Sequence, residues 1–316
     1  MGKIPIDILS NTVLKLTGAQ SDSIKTPAKA GIDFAAIRAG NGYIVISADP
    51  VTGVSKEIGR YAVRVSANDV ATCGHRPQFA ESVVLLPEGS TSRQVTEIAR
   101  QVHESAKQLG IAIVGGHTEV TPRLDHPIVV ITAFCYVDDY VTSGDARPGD
   151  TIVMTKTAGL EGTAVLGGSK RFLERLSVVD EAVAAYGTGF VHAMHDCTEG
   201  GVLGAAFEMS FASGLGFELE ERRVPVAPET AKLCRRYAID PLKLVGSGAL
   251  LLSVDRERER KVVGALSPTR ATAVGTFKKS GRTLVRRDGS VTTLREAPED
   301  ELWRALARTS SRRYGL

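Results

Sequence analysis

Long apolar runs are missing from this sequence. Its apolar runs, Ile128 to Ile131 and Ala249 to Leu252 among them, fall far short of the roughly 20 residues a membrane-spanning helix needs. The amino terminus, Met1-Gly2-Lys3-Ile4-Pro5, shows no apolar signal region. Cysteine is scarce too: Cys73, Cys135, Cys197 and Cys234 are the four in 316 residues, and no two form a C-x-x-C pair. That excludes a disulfide framework and fits reduced thiols in a cytoplasmic protein. Charge of one sign is not in excess, with 39 Lys and Arg against 36 Asp and Glu, a net charge of +3. Basic residues gather only near the carboxyl end, at Arg304, Arg308, Arg312 and Arg313, and no recognition module accompanies them, so nucleic acid is not an expected partner.

What the chain has is 43% hydrophobic residues, enough to bury a core and to rule out disorder. It also has 32 glycines, about one residue in ten against an average of roughly 7%. They are neither periodic nor gathered in one tract, so each needs a local reason.

Strand and helix patterns alternate. Strands are expected at Tyr43 to Ser47, Glu81 to Leu86, Ile111 to Val114 and Pro127 to Val137, with helices over Ser55 to Thr72 and Ser92 to Gln108. The polar stretch Ser143 to Asp150, with Pro148 and two glycines, reads as a connector. The rhythm then restarts with a strand at Thr151 to Thr155, helical segments to Tyr186, a strand at Phe190 to Met194 and a helix from Gly200 to Ala212. Strands are expected again at Leu215 to Leu219, Ala249 to Val254 and Ala271 to Phe277. The pattern predicts an α/β or α+β body with a domain boundary at residue 148, giving units 1–148 and 149–316.

Three features could carry chemistry. Ile58, Ala62, Val65, Asp69 and Thr72 follow one helix face, which puts the Asp69 carboxylate on the apolar stripe. A charge there must be paired or bind a metal, with a salt bridge or a helix end turned to solvent as the alternative. Next, acids and glycines are expected just past strand ends: Asp49, the turn Gly115-Gly116-His117-Thr118, and Asp196. Oxygen-rich sets of this kind suit magnesium with a substrate phosphate. Finally, Thr198 is a candidate N-cap for a helix whose first N–H groups Gly200 and Gly201 would expose to a phosphate; a plain helix start is the alternative.

Standard motifs fail when tested. Gly162 to Gly167 is followed by Gly168 rather than a P-loop lysine, and Gly40-Asn-Gly42, Gly187-Thr-Gly189 and Gly246-Ser-Gly248 lack the third glycine of a dinucleotide fingerprint. His192 and His195 should point to opposite sides of a strand, which argues against structural zinc. Cys73 and Cys197 have no oriented histidine to make them nucleophiles.

Four segments, in order, resemble the aminoimidazole-ribonucleotide synthetase (PurM-like) superfamily: Ser47 to Gly53, Val65 to Pro77, Gly115 to Thr118, and Asp196 to Gly204. That superfamily includes selenophosphate synthetase, thiamine-monophosphate kinase and the hydrogenase maturation factor HypE, and the pattern is most similar to the HypE-related branch. The resemblance spans nearly the whole chain. It implies a two-domain fold whose amino-terminal halves join two subunits in a β-barrel-like core, each followed by a carboxyl-terminal α/β layer. It also implies a cytoplasmic homodimer that binds ATP and magnesium and transfers a phosphoryl group to a small-molecule or protein-borne carbamoyl- or amide-like group.

By resemblance, Asp33, Asp49, Asp69 and Asp196 hold metal, with Asp69 and Asp196 catalytic. Asn68, Gly115, Gly116, His117, Thr118, Gly200 and Gly201 contact the nucleotide. The chain departs from the pattern in four places, one of them His117, where several relatives have an acid. Ser310 to Leu316 lacks the terminal cysteine that carries the carbamoyl group in the maturation factor, so carriage on its own tail is not expected. Gln20 to Thr26 supplies Lys25 but not the cysteine of selenophosphate synthetases. Gly246-Ser-Gly248 stands where the maturation factor has Asn-Glu-Gly. A thiamine-monophosphate kinase-like enzyme, a selenophosphate synthetase-like enzyme and a non-catalytic nucleotide-binding partner are the alternatives.

Overall fold

A computed structural model describes residues 3–52, 56–167 and 170–313. Gly53, Ser55, Gly168 and the last three tail residues lie outside the described residues, as do the side chains of Arg312 and Arg313. The amino-terminal half runs α1 (Ile6–Asn11), β1 (Ile24–Thr26), β2 (Ala35–Ala39), β3 (Gly42–Val51), α2 (Ile58–Ala71), β4 (Phe79–Leu86), α3 (Ser92–Leu109), β5 (Ala112–Val120) and β6 (Ile128–Val137). The remainder runs β7 (Thr151–Thr155), α4 (Leu160–Gly167), α5 (Lys170–Leu173), α6 (Val179–Tyr186), β8 (Val191–Asp196), α7 (Gly201–Ser213), β9 (Gly216–Glu220) and α8 (Pro228–Tyr237). It closes with β10 (Leu250–Val254), α9 (Glu259–Ala265), β11 (Ala271–Lys278), β12 (Arg282–Val285), β13 (Val291–Thr293) and α10 (Glu301–Arg313).

The strands form two sheets, ordered β1-β2-β3-β6-β4-β5 and β13-β12-β9-β11-β7-β10-β8. In the first, β6 alternates faithfully. Val129, Ile131, Ala133, Cys135 and Val137 are buried, while Ile128, Val130, Thr132 and Phe134 are half-buried and Tyr136 is exposed on the opposite face. The buried face carries α2, with α3 outside it. Gly59 allows that approach: a Cβ there would lie 2.8 Å from the Ile98 carbonyl. Thr91 and Gln94 close a capping box at the start of α3.

Helix α2 is buried nearly all round, more than a one-sided stripe predicts. The reason is tertiary, because it also packs against the second sheet. Val153, Met194, Leu250 and Leu252 join its core, while Ile152, Met154, Ala193 and Leu251 face the other way, with α7 residues in their cluster. Asn68 seals this junction, its amide donating to the Leu176 carbonyl at 2.8 Å and accepting from the Val178 N–H at 2.8 Å.

Two expected features differ. Residues 115–118 are not a turn but the middle of β5, a fully exposed edge strand. Gly116 has φ 145°, and a Cβ there would lie 1.9 Å from the Ser82 carbonyl, so this glycine serves the β4–β5 pairing. Likewise Asp49 lies within β3, not beyond it, because pairing with β6 continues through Val51.

Candidate functional site

Elements distant in sequence aim acids at one point. Along β3 the side chains of Val45, Ser47 and Asp49 share a face, and Ser47 Oγ donates to Asp69 Oδ2 on α2 at 2.9 Å. Asp49 lies near enough to Asp69 to raise its carboxyl further. Asp196 is the last residue of β8, and Asp33 lies just before β2. Burial pushes the carboxyl groups of Asp69 and Asp196 well above the usual carboxylate range. Asp49 is the largest further contributor at Asp69 and Asp33 at Asp196. Asp33 is pushed up to about 6, again first by burial.

Basic groups balance part of this charge. His195 Nε2 lies 3.0 Å from Asp33 Oδ1 and 3.1 Å from Glu208 Oε2 of α7. Burial disfavours the imidazolium, but Asp33 and Glu208 outweigh it and carry its pKa up to about 9. Lys3 Nζ reaches Glu208 Oε1 at 3.2 Å and Thr198 Oγ1 at 3.2 Å. Burial acts against the Glu208 carboxylate, yet Lys3 and His195 hold it down to about 2.

The set still has unmet capacity. Asp33 Oδ2, Asp49 Oδ2 and both Asp196 carboxylate oxygens are buried without a hydrogen-bond partner among the described residues. Buried polar atoms are nearly always satisfied, so four orphaned oxygens at one place fit a cation that takes oxygen ligands.

The start of α7 is used differently from the expectation. Its N-cap is Gly200, not Thr198, and Gly200 and Gly201 have φ 75° and 60°. The Gly200 N–H is taken by Asp300 Oδ2 at 2.8 Å, and the Gly201 N–H by the Thr198 carbonyl at 3.0 Å. A Cβ on Gly201 would lie 2.6 Å from the Leu244 carbonyl. These glycines therefore answer to backbone shape and close packing in this structure.

Residues 31–137 match the family described as AIR synthase related protein, N-terminal domain, and residues 147–287 match its C-terminal domain. The chain belongs to the AIR synthase related family. A relative is the carbamoyl dehydratase HypE of Escherichia coli, 29% identical over 69% of this chain and 68% of its own length. In fold, the chain resembles a HypE–HypF complex structure, with TM-score 0.78 and 22% identity over 92% of this chain and 99% of that one. It also resembles HypE in complex with ATP, with TM-score 0.73 and 22% identity over 95% and 96%. The fold is the two-sheet, PurM-like one.

Within this AIR synthase related chain, the structure brings Asp33, Asp49, Asp69 and Asp196 together. Gly115, Gly116, His117 and Thr118 lie apart from that point, on the edge strand β5. Asn68 is spent on the junction with residues 176–178. Gly116 lies three strands from Asp49 along the row Asp49, Ile131, Ser82, Gly116, about 14 Å at the usual strand spacing. His117 is exposed beside Glu119, 3.1 Å away. Cys73 and Cys197 are buried, and burial raises the Cys197 thiol far above its usual range, opposite to a nucleophile's need.

Sequence reasoning missed Lys3, Glu208 and the place of His195 in this cluster. Only His195, next to Asp196, carried a signal that could have found it.

Proposed function

We propose that this chain is an ATP-dependent phosphotransferase of the HypE-related branch. It would activate a carbamoyl- or amide-like oxygen on a small molecule or protein partner, in the maturation of hydrogenase or another metalloenzyme. The observation that carries this reading is the convergence of Asp33, Asp49, Asp69 and Asp196 with buried, unpartnered oxygens. The carbamoyl dehydratase relatives and the ATP-bound HypE likeness support it, and the HypE–HypF complex supports a protein partner.

Asp33, Asp49, Asp69 and Asp196 are the residues that would hold magnesium. A divalent cation bound to them would neutralise charge on the ATP phosphates during transfer. The chain's own part is positional. Ser47 orients Asp69, and the junction at Asn68 fixes α2 against the second sheet. No dedicated base is needed when positioning and charge neutralisation supply most of the catalysis. We also read a division at residue 148, supported by family matches that end at 137 and restart at 147. A cytoplasmic homodimer completes the reading; the exposed edge strand β5 supports the dimer, and the absence of any helix long and apolar enough to cross a membrane, among the described residues, fits the cytoplasm.

The test is to incubate the protein with ATP, magnesium and carbamoyl-bearing acceptors and to identify the nucleotide product. Acceptor-stimulated ADP release is expected. AMP would replace this reading with selenophosphate-like chemistry, and ATP binding without turnover would leave a non-catalytic partner.

A further inference from the structure

We propose that Lys3 is a positioning residue for the phosphoryl transfer: from the amino-terminal segment it sets Asp33 through Glu208 and His195. The inference rests on the acid cluster being the site of that transfer, and it adds a residue that lies outside both sheets.

The amino-terminal segment has little apolar hold on the rest of the chain. Helix α1 has no buried residue, and Ile4, Ile8, Val13 and Leu16 are 57%, 49%, 61% and 85% exposed. Side-chain hydrogen bonds here are local, from Thr12 Oγ1 to the Ile8 carbonyl and from Lys15 Nζ to Asn11 Oδ1. Lys3 reaches much further. Its Nζ lies 3.2 Å from each carboxylate oxygen of Glu208 and 3.2 Å from Thr198 Oγ1, with Glu199 Oε2 at 3.7 Å.

The lysine side chain is half exposed, and an ion pair in that setting adds little stability by itself. Its consequence lies in the charges behind it. Glu208 is nearly buried, its Oε2 lies 3.1 Å from His195 Nε2, and the same nitrogen lies 3.0 Å from Asp33 Oδ1. The other ring nitrogen, Nδ1, lies 2.7 Å from the Asp196 carbonyl oxygen, so the imidazole is held on both sides.

Lys3, Glu208, His195 and Asp33 thus alternate in sign, two charges against two. Without Lys3, two carboxylates would compete for one imidazolium, and Glu208 would draw the ring from Asp33. With Lys3 on Glu208 the ring stays shared. Asp33 is then fixed through Oδ1, while Oδ2, buried and unpartnered, stays free for the cation. Where catalysis is mainly positional, a small displacement of one such ligand is costly.

The experiment uses the full chain. Nucleotide-free protein, isotope-labelled at histidine, gives a His195 ring N–H resonance that is assigned by its loss in His195→Gln. Lys3→Ala should shift this resonance, and Lys3→Arg should restore it. In the Mg2+-ATP assay Lys3→Ala should lower kcat roughly tenfold or more, leave KM for ATP within about twofold, and be largely rescued by Lys3→Arg. Added to Glu208→Gln, Lys3→Ala should lower kcat no further, because it acts through that carboxylate. Circular dichroism reports the fold; should Glu208→Gln not fold, the resonance in Lys3→Ala and Lys3→Arg decides. An unmoved resonance, an unchanged kcat, or a full further loss in Glu208→Gln, which would make Lys3 a direct phosphate contact, overturns the inference. Absence of ATP turnover in the wild type would defeat the proposed function alone, since the resonance still decides whether Lys3 sets the His195–Asp33 pair.

Discussion

Asp69 shows how function and stability oppose each other at one residue. Its carboxyl is buried beside Asp49 and Asp196, and its raised pKa means that ionisation works against the metal-free fold. Asp69→Asn keeps the size of the side chain and can still accept from Ser47 Oγ, while it removes one charge from the cluster. In EDTA its Tm should rise by roughly 2–4 °C, the shift that about 1 kcal/mol produces in a chain of this size. ATP turnover should fall on the order of 100-fold with circular dichroism unchanged. Thermal melts and an ADP assay check the pair of outcomes; unchanged turnover would remove Asp69 from the site. At this scale the sequence was informative for Asp69, because a carboxylate on an apolar helical stripe is anomalous without any partner in view. It was silent on Lys3 and Glu208, whose roles depend only on which residues they meet.

Among the elements, α4 and α7 begin close to a second group of acids. Glu161 at the start of α4 is pushed up to about 7, chiefly by burial, with Glu199 and Asp300 adding to the shift against a hydrogen bond from Ser247. An acid whose folded pKa lies above its ordinary value of 4.5 holds its proton more tightly when folded. Its contribution to stability therefore falls as pH rises from about 4.5 to about 7 and stays low above that. Glu161→Gln should remove this slope, gaining on the order of 1–3 kcal/mol at pH 8 and little at pH 5. Urea unfolding at the two pH values measures it. At α7, Gly201→Ala meets both φ 60° and the Leu244 carbonyl at 2.6 Å. It should cost about 2–4 kcal/mol in the same assay. The helix itself was predicted within a residue or two of its bounds. Its cap was not, because Asp300, which takes the Gly200 N–H, lies 100 residues away.

For the whole molecule, the first sheet leaves one edge and one face without cover. Strand β5 exposes Ile113 by 40%, Val114 by 55% and Val120 by 56%, and Phe79 and Tyr136 are exposed nearby. A long apolar edge strand invites pairing with another chain. The protein should therefore sediment as a dimer of 33.6 kDa subunits, and Ile113→Lys with Val114→Lys should give monomers without loss of secondary structure. Analytical ultracentrifugation decides between them, and a wild-type monomer would dismiss the dimer.

The sequence by itself determined the alternation of strands and helices, the acid on the stripe of α2, and the ordered segments that mark the family. Each of these is written in local spacing or in residue identity, and local spacing says which face of an element is buried. It does not say which distant element lies against that face. Only the tertiary structure decided that Asp33, Asp49, Asp69 and Asp196 meet, that His195 and Glu208 join them, and that Gly116 serves a strand pair. Those outcomes follow from how the two sheets close on α2, and that closure depends on packing between residues far apart in the chain.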